Sequence, residues 1–437
     1  MPSDPLRSQP IQLTIHTMQP MWKKERVILI LAAFLSACAT TGPTEIRQSP
    51  PMPPEPSPVQ PSAGPSTTET LPPVIDQGYP RPAPIEPLPP AAQPSQPRLV
   101  EPQARALVTR LIPPNSKDRA GWAQDILTAF NTLRIAANPE NFCAVIAVTE
   151  QESLFVADPP VPGLPKIVWK EIETRRTRYG IPKMLLDAAL LKPSPDGRSY
   201  RDRINALRTE SQMNTLYQDM ISELPYGRTL LASHNPVHTG GPMQVSVAFA
   251  EAHARQRPYP YPVRDSIRSE VFSRRGGMYF GIAILLDYPA PYSEPVYRFA
   301  DFNAGRYSSR NAAFQRAVSR LSGRSLDLDG DLLRYRDGRP SGERSETQRA
   351  LSALTSALGM GSDEIDRDLR SEKETGFAQT RLYRRVFALA DQRSGAPAPR
   401  AEIPRIDLKS PKISRKLTTE WFAKRVEWRY RNCLTRQ

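Results

Sequence analysis

From about Pro43 to Pro102 roughly a third of the residues are proline, with Ser, Thr, Gln and Glu between them, and this stretch divides the chain into a part that can fold and a part that cannot. Proline has no backbone N–H to donate and fixes its own φ, so such a run supports neither a helix nor an interior strand. It also holds little apolar surface to bury. The expectation is a disordered, extended, semi-rigid tether of about sixty residues, reaching up to about 3 Å per residue. The remainder of the 437-residue chain, which is 39% hydrophobic overall, can bury a sizeable core.

What precedes the tether says where the chain goes. Met21-Trp22-Lys23-Lys24-Glu25-Arg26 is short and mostly positive, and Val27–Leu35 is an apolar run too short to span a bilayer as a mature helix. The run ends Leu35-Ser36-Ala37-Cys38, which resembles a bacterial lipobox. That resemblance implies removal of residues 1–37, acylation of Cys38 and membrane attachment through the lipid. Ala39 then implies sorting to the outer membrane, because an aspartate there favours retention at the inner one. Residues 1–20 do not fit a signal peptide, and the reading is that translation starts at Met21 or Met18.

The folded body is expected over 103–437. Apolar residues recur at helical spacing over Trp122–Phe130, and Asn138-Pro139-Glu140 restarts the chain as a helix N-terminus. Phe142–Thr149 is an almost wholly apolar run leading into Glu150-Gln151-Glu152-Ser153. Further helices are predicted at Val168–Tyr179, Pro182–Leu191, Arg201–Ser222, Val245–Arg255, Glu270–Asp287, Ser308–Arg320, Glu346–Leu358, Thr375–Gln392 and Trp421–Cys433. Strand patterns are scarce, so the body reads as mainly α, with no repeat of fixed period.

A net charge of +14 favours an anionic partner without choosing one. The arginines are not arrayed with aromatics and no zinc-knuckle, RNA-recognition or helix-turn-helix pattern is present, so nucleic acid is not expected. With four histidines, and cysteines only at Cys38, Cys143 and Cys433, neither a metal nor a cofactor is expected. His234 and His238 stand four apart, but Pro236 forbids a regular helix between them, and they read as loop residues. Asp327-Leu328-Asp329-Gly330-Asp331 is similar to a calcium loop but lacks the full ligand set, and reads as a solvated turn. If Cys38 is lipidated, Cys143 and Cys433 either pair or remain as two thiols. A bond would close a very long loop, worth about 4–5 kcal/mol in the chain-entropy model, and pin the final helix to the one preceding Glu152.

Four segments occur in order: Ile146-Ala147-Val148-Thr149-Glu150-Gln151-Glu152-Ser153-Leu154-Phe155, Gly240-Gly241-Pro242-Met243-Gln244-Val245, Arg275-Gly276-Gly277-Met278-Tyr279-Phe280-Gly281, and Phe299-Ala300-Asp301-Phe302-Asn303-Ala304-Gly305. Together they resemble the soluble-type lytic transglycosylases and the goose-type lysozyme superfamily, over roughly residues 140–320. The resemblance implies a lysozyme-like helical domain that cleaves the bond between N-acetylmuramic acid and N-acetylglucosamine in peptidoglycan glycan strands. It makes Glu152 the catalytic acid and then base, closing a 1,6-anhydro ring without water. A carboxyl at the end of an apolar helix, facing a groove, suits that role because desolvation raises its pKa. Ser153, Gly241, Met243, Gln244, Asn303 and Gly305 match the residues that line the groove, with Gly240 and Gly241 letting backbone approach the sugar. Glu150, two residues back, reads as solvent-facing or structural.

Three departures stand out. Phe302 replaces a tyrosine whose hydroxyl would lie near the glutamate, leaving Asp301 or another tyrosine to compensate. Pro242 stands where leucine is usual. The gap from Glu152 to Gly241 is 89 residues, far longer than in the family, and reads as a helical subdomain inserted at about 160–235. A C-terminal helical extension is expected at about 325–437. Two other readings stay open: a non-catalytic wall-binding or scaffolding lipoprotein that keeps the fold, and a lysozyme-type hydrolase using Asp158 or Asp301 as a second carboxylate. The expected location is the periplasmic face of the outer membrane, and no protein partner is indicated.

Overall fold

Helix boundaries in this chain are set largely by short polar side chains that take up the first free backbone N–H groups. Asn138 accepts from the Asn141 amide at 2.8 Å, Thr209 from Gln212 at 3.2 Å, Ser273 from Gly276 at 3.0 Å and Thr418 from Trp421 at 3.1 Å. Ser345 and Gln348 form a reciprocal capping box. The computed structural model describes residues 100–336, 339–408 and 417–437. The expected signal segment, Cys38 and the proline-rich tether lie outside the described residues.

The body is mainly helical, with three short two-stranded hairpins among the described residues. Helices α1 (Glu101–Leu111), α2 (Arg119–Leu133) and α3 (Pro139–Ser153) open the fold. Every residue of α3 from Phe142 to Thr149 is buried, as an apolar run on all faces requires. Helices α4 (Leu164–Arg178), α5 (Lys183–Leu190), α6 (Tyr200–Asn205), α7 (Glu210–Ser222) and α8 (Gly227–Leu231) follow. They enclose a core of their own, with Val168, Leu190, Leu216 and Tyr217 at its centre. That core also takes in Val237 and Phe272 from outside the run.

The chain then returns through the antiparallel hairpin β1 (Thr239–Gly240) and β2 (Val245–Ser246), with Gly240 opposite Val245. Helices α9 (Val247–Gln256), α10 (Ile267–Val271), α11 (Arg274–Leu286) and α12 (Pro295–Ala304) complete most of the first core. Helix α13 (Ser308–Ser322) carries the chain into a third core, built with α14 (Glu346–Ser352), α15 (Thr355–Leu358), α16 (Ser362–Leu369) and α17 (Arg381–Ser394). Helix α18 (Thr419–Leu434) comes back to the first core, burying Phe422, Val426 and Cys433 there.

Several helices expected to be continuous are broken. Arg201–Ser222 splits into α6 and α7 because the Thr209 hydroxyl caps a new start. Glu270–Asp287 splits at Phe272-Ser273 for the same reason, and Glu346–Leu358 splits after Ser352. Thr375–Gln392 begins as a 3₁₀ turn over Thr375–Gln379, and α17 starts anew behind the Thr380 cap. The 325–437 stretch is not one appendage, since its last helix belongs to the first core.

Candidate functional site

Glu152 lies in the last turn of α3 and is 6% exposed. The two residues that follow Ser153 both take left-handed backbone, Leu154 at φ 53° and Phe155 at φ 61°. Each costs a side-chain-bearing residue about 1–2 kcal/mol. Packing holds them there: the buried Phe155 ring meets Trp122 edge-on with centroids 5.2 Å apart, while Leu154 points partly into solvent. Strain of this kind concentrates where a fold over-determines a local geometry. The Ser153 hydroxyl donates to the Thr149 carbonyl at 3.1 Å, which ties it to the helix end and leaves its oxygen able to accept.

Helix α11 presses on α3, with the Thr149 hydroxyl 3.7 Å from the Met278 sulfur. The Gly240–Gln244 turn in turn presses on α11. Gly241 has φ 73°, and a Cβ there would overlap the Val271 carbonyl oxygen; a Cβ at Gly240 would run into the Phe272 ring. These glycines therefore permit close packing of the turn on Val271, Phe272 and α11. Met243 is fully buried against Gly281 and fills the core. Gln244, strained at φ 49°, folds back to donate from Nε2 to the Gly241 carbonyl at 3.2 Å.

The fourth segment forms the end of α12. Asn303 Oδ1 accepts from the Thr419 hydroxyl at 3.0 Å, and Asn303 Nδ2 is buried with no acceptor among the described residues. Gly305, at φ 108°, ends the helix, its N–H donating to Asp301 at 2.8 Å. Phe302 is half-buried and packs on the first core. Asp301 does not compensate for it. Its carboxylate is fully buried and accepts from the Tyr288 hydroxyl at 3.0 Å and the Tyr307 and Ser309 amides at 2.9 and 2.7 Å. Burial pushes that carboxyl up to about 6 against these hydrogen bonds. Asp158, the other candidate second carboxylate, is hydrogen-bonded by Thr209 and Ser211 at the start of α7, with burial raising it.

Helix α18 ties these pieces together. Cys433 is disulfide-bonded to Cys143 in α3, with Cα atoms 5.5 Å apart. Arg429 donates from Nε to Gln151 at 3.0 Å and from Nη1 to Glu150, so Glu150 is structural. The Phe299 and Tyr430 rings, 5.7 Å apart, join α12 to α18. Sequence reasoning missed Arg429 and Thr419, which lie 278 and 116 residues from their partners. No local pattern flags either.

Elsewhere, His234 ends a short 3₁₀ turn over Ala232–His234 and His238 lies in the loop that follows, both exposed, with partial desolvation lowering the His238 imidazole. Among the described residues no group of His, Cys, Asp and Glu is arranged to hold a metal ion. Asp329 accepts from Gln315 at 2.8 Å and from the Asp331 amide at 3.0 Å, which makes the acidic stretch a pinned turn.

This mainly helical, cystine-locked body defines a class: the chain belongs to the family described as "Protein of unknown function (DUF1615)", whose model matches residues 115–436. That span takes in Glu152, all four segments and both bonded cysteines. The Uncharacterized protein YaiW of Escherichia coli (strain K12) is 49% identical over 329 residues, covering 75% of this chain and 89% of that protein. No solved structure matches.

Proposed function

We propose that the protein is a lipid-anchored lytic transglycosylase that cleaves peptidoglycan glycan strands from the periplasmic face of the outer membrane, with a lysozyme-like helical domain as its catalytic body. The observation that carries this reading is the setting of Glu152. It is a buried carboxyl in the last turn of a helix whose run Phe142–Thr149 is buried on every face, shortly before two strained residues, with α11 packed on that helix at Thr149, the Gly240–Gln244 turn packed on α11, and α12 joined to that helix through α18. A general acid for glycoside cleavage has to carry its proton near neutral pH, and a site closed to water is the setting for that.

In this mechanism Glu152 gives its proton to the glycosidic oxygen as the bond to C1 of N-acetylmuramic acid breaks. The carboxylate then takes the proton from that sugar's C6 hydroxyl while O6 attacks C1, which closes the 1,6-anhydro ring and regenerates the acid. One carboxyl suffices. The engagement of Asp301 and Asp158 in backbone and helix-start hydrogen bonds speaks against the lysozyme-type hydrolase, which needs a second carboxylate or a positioned water. Phe302, with no hydroxyl to offer, favours a second reading, a wall-binding or scaffolding protein on the same fold.

Purified peptidoglycan digested with the wild type and with Glu152→Gln, read by mass spectrometry, decides. Anhydro ends that fall by about 10²–10⁴ in the variant support the transglycosylase. Reducing ends indicate hydrolysis. No new ends, with retained sedimentation on the wall, indicates a binder. Anhydro ends that survive the substitution remove Glu152 from the mechanism.

A further inference from the structure

We infer that the inserted subdomain carries a membrane-contacting face of its own, an apolar and cationic surface that seats in the interface of an anionic phospholipid bilayer. The inference does not depend on glycan cleavage. Of the ten large hydrophobic side chains that stand exposed among the described residues, six belong to this subdomain: Tyr179, Met184, Leu185, Leu191, Tyr226 and Leu230. Met184 and Tyr226 are the most exposed, at 80% and 81%, so they protrude from the body and do not line a groove. They are not leftovers of a poor core, because Leu186 and Leu190 on the same helix, α5, are buried beneath them. The two halves of the face adjoin. Lys192, next to Leu191, pairs with Glu223, three residues before Tyr226, and Glu223 also accepts from the Tyr200 hydroxyl at 2.7 Å.

The charges select the occupant. The carboxylates of these segments are already neutralised: Glu171 by Arg175 at 2.7 Å, Glu173 by Arg176 at 2.5 Å, and Asp187 by Lys183 and Arg201, each at 2.6 Å. Arg178, beside Tyr179, and Arg228, between Tyr226 and Leu230, have no ion-pair partner among the described residues. Protruding aliphatic and tyrosine side chains alternating with cations suit the headgroup boundary of an anionic bilayer, where apolar tips enter and guanidinium or ammonium groups stay at the phosphates. The core of a protein–protein interface is instead depleted of lysine. No described helix is long and apolar enough to cross a membrane, which fits a surface contact.

The test uses the full chain with Cys38→Ser, so that no acyl chain is attached, and flotation with vesicles of phosphatidylglycerol and phosphatidylethanolamine or of phosphatidylcholine alone. The comparison variant adds Met184→Ser, Leu185→Ser, Tyr226→Ser and Leu230→Ser, so the apolar run at Val27–Leu35 contributes equally to both. The expected result is at least about tenfold weaker partitioning of the variant onto anionic vesicles, a smaller difference on phosphatidylcholine, and an unchanged circular dichroism spectrum. Tyr226→Trp, as a local probe, is expected to shift its emission to the blue on anionic vesicles only. Equal partitioning of the two chains, failure of the parent chain to bind anionic vesicles, or an unshifted probe overturns the inference. So does a parent chain that is dimeric where the variant is monomeric, which assigns the face to a second copy.

Discussion

The core around α3 and the inserted subdomain use similar side chains to opposite ends. In α3 the apolar residues from Phe142 to Val148 all face inward, and the helix is clamped by a disulfide, by Arg429 and by α11. In the insert, α5 is equally apolar yet buries Leu186 and Leu190 while presenting Met184 and Leu185 to solvent. The electrostatics differ as well. Asp301 in the first region is a desolvated carboxyl held up at about 6, whereas Glu173 and Asp187 in the second are held below the usual range by Arg176 and by Lys183. The first region is built for fixed geometry around buried groups, and the second for display.

The sharpest way to break this contrast is to remove the disulfide. Cys143→Ser with Cys433→Ser is expected to cost about 3–5 kcal/mol. Hydrogen exchange should show α3 and α18 losing protection while α7 keeps its own; uniform loss means the two regions unfold as one. Phe272→Ala probes the join, because this ring packs in the insert core and against Gly240. A loss of about 3 kcal/mol with weakened protection in both α7 and the hairpin is expected, and loss confined to α7 moves the boundary.

Acid should separate the regions by sign. Asp301 is raised in the fold, so its contribution is fully present below its ordinary value and is lost as pH rises through about 6. Glu173 and Asp187 are lowered, so theirs is present at neutral pH and is lost as pH falls below their ordinary values. Between pH 6 and 4 the unfolding free energy read by urea titration should gain from Asp301, and Asp301→Asn should remove that gain. Below pH 4, protection factors in α4 and α5 should fall. The smallest effect is expected from the four serine substitutions on the insert, which should move stability by no more than about 0.5 kcal/mol each, as measured by urea titration.

Much of the helical order was legible from periodicity, because apolar runs such as Phe142–Thr149 leave few alternatives. The breaks at Thr209 and Ser273 were missed although the capping residues are plain in the sequence, since the apolar period carries on across them. The location of Glu152 at the end of a buried helix followed from the run before it. The roles of its neighbours did not: whether Gly240 and Gly241 face a sugar or the Val271–Phe272 backbone and ring depends on how α10 and α11 are set. The partnership of Glu150 with Arg429 spans 279 residues, beyond any local signal.

The Cys143–Cys433 bond turns nearly the whole body into a covalent ring. A protease that nicks any loop between them leaves both pieces attached, and the damage shows only on a reducing gel. Emergence order matters too. The helix bearing Glu152 is among the first of the body to be synthesised, yet its covalent latch is among the last, so a chain truncated by even a dozen C-terminal residues leaves that helix unsecured.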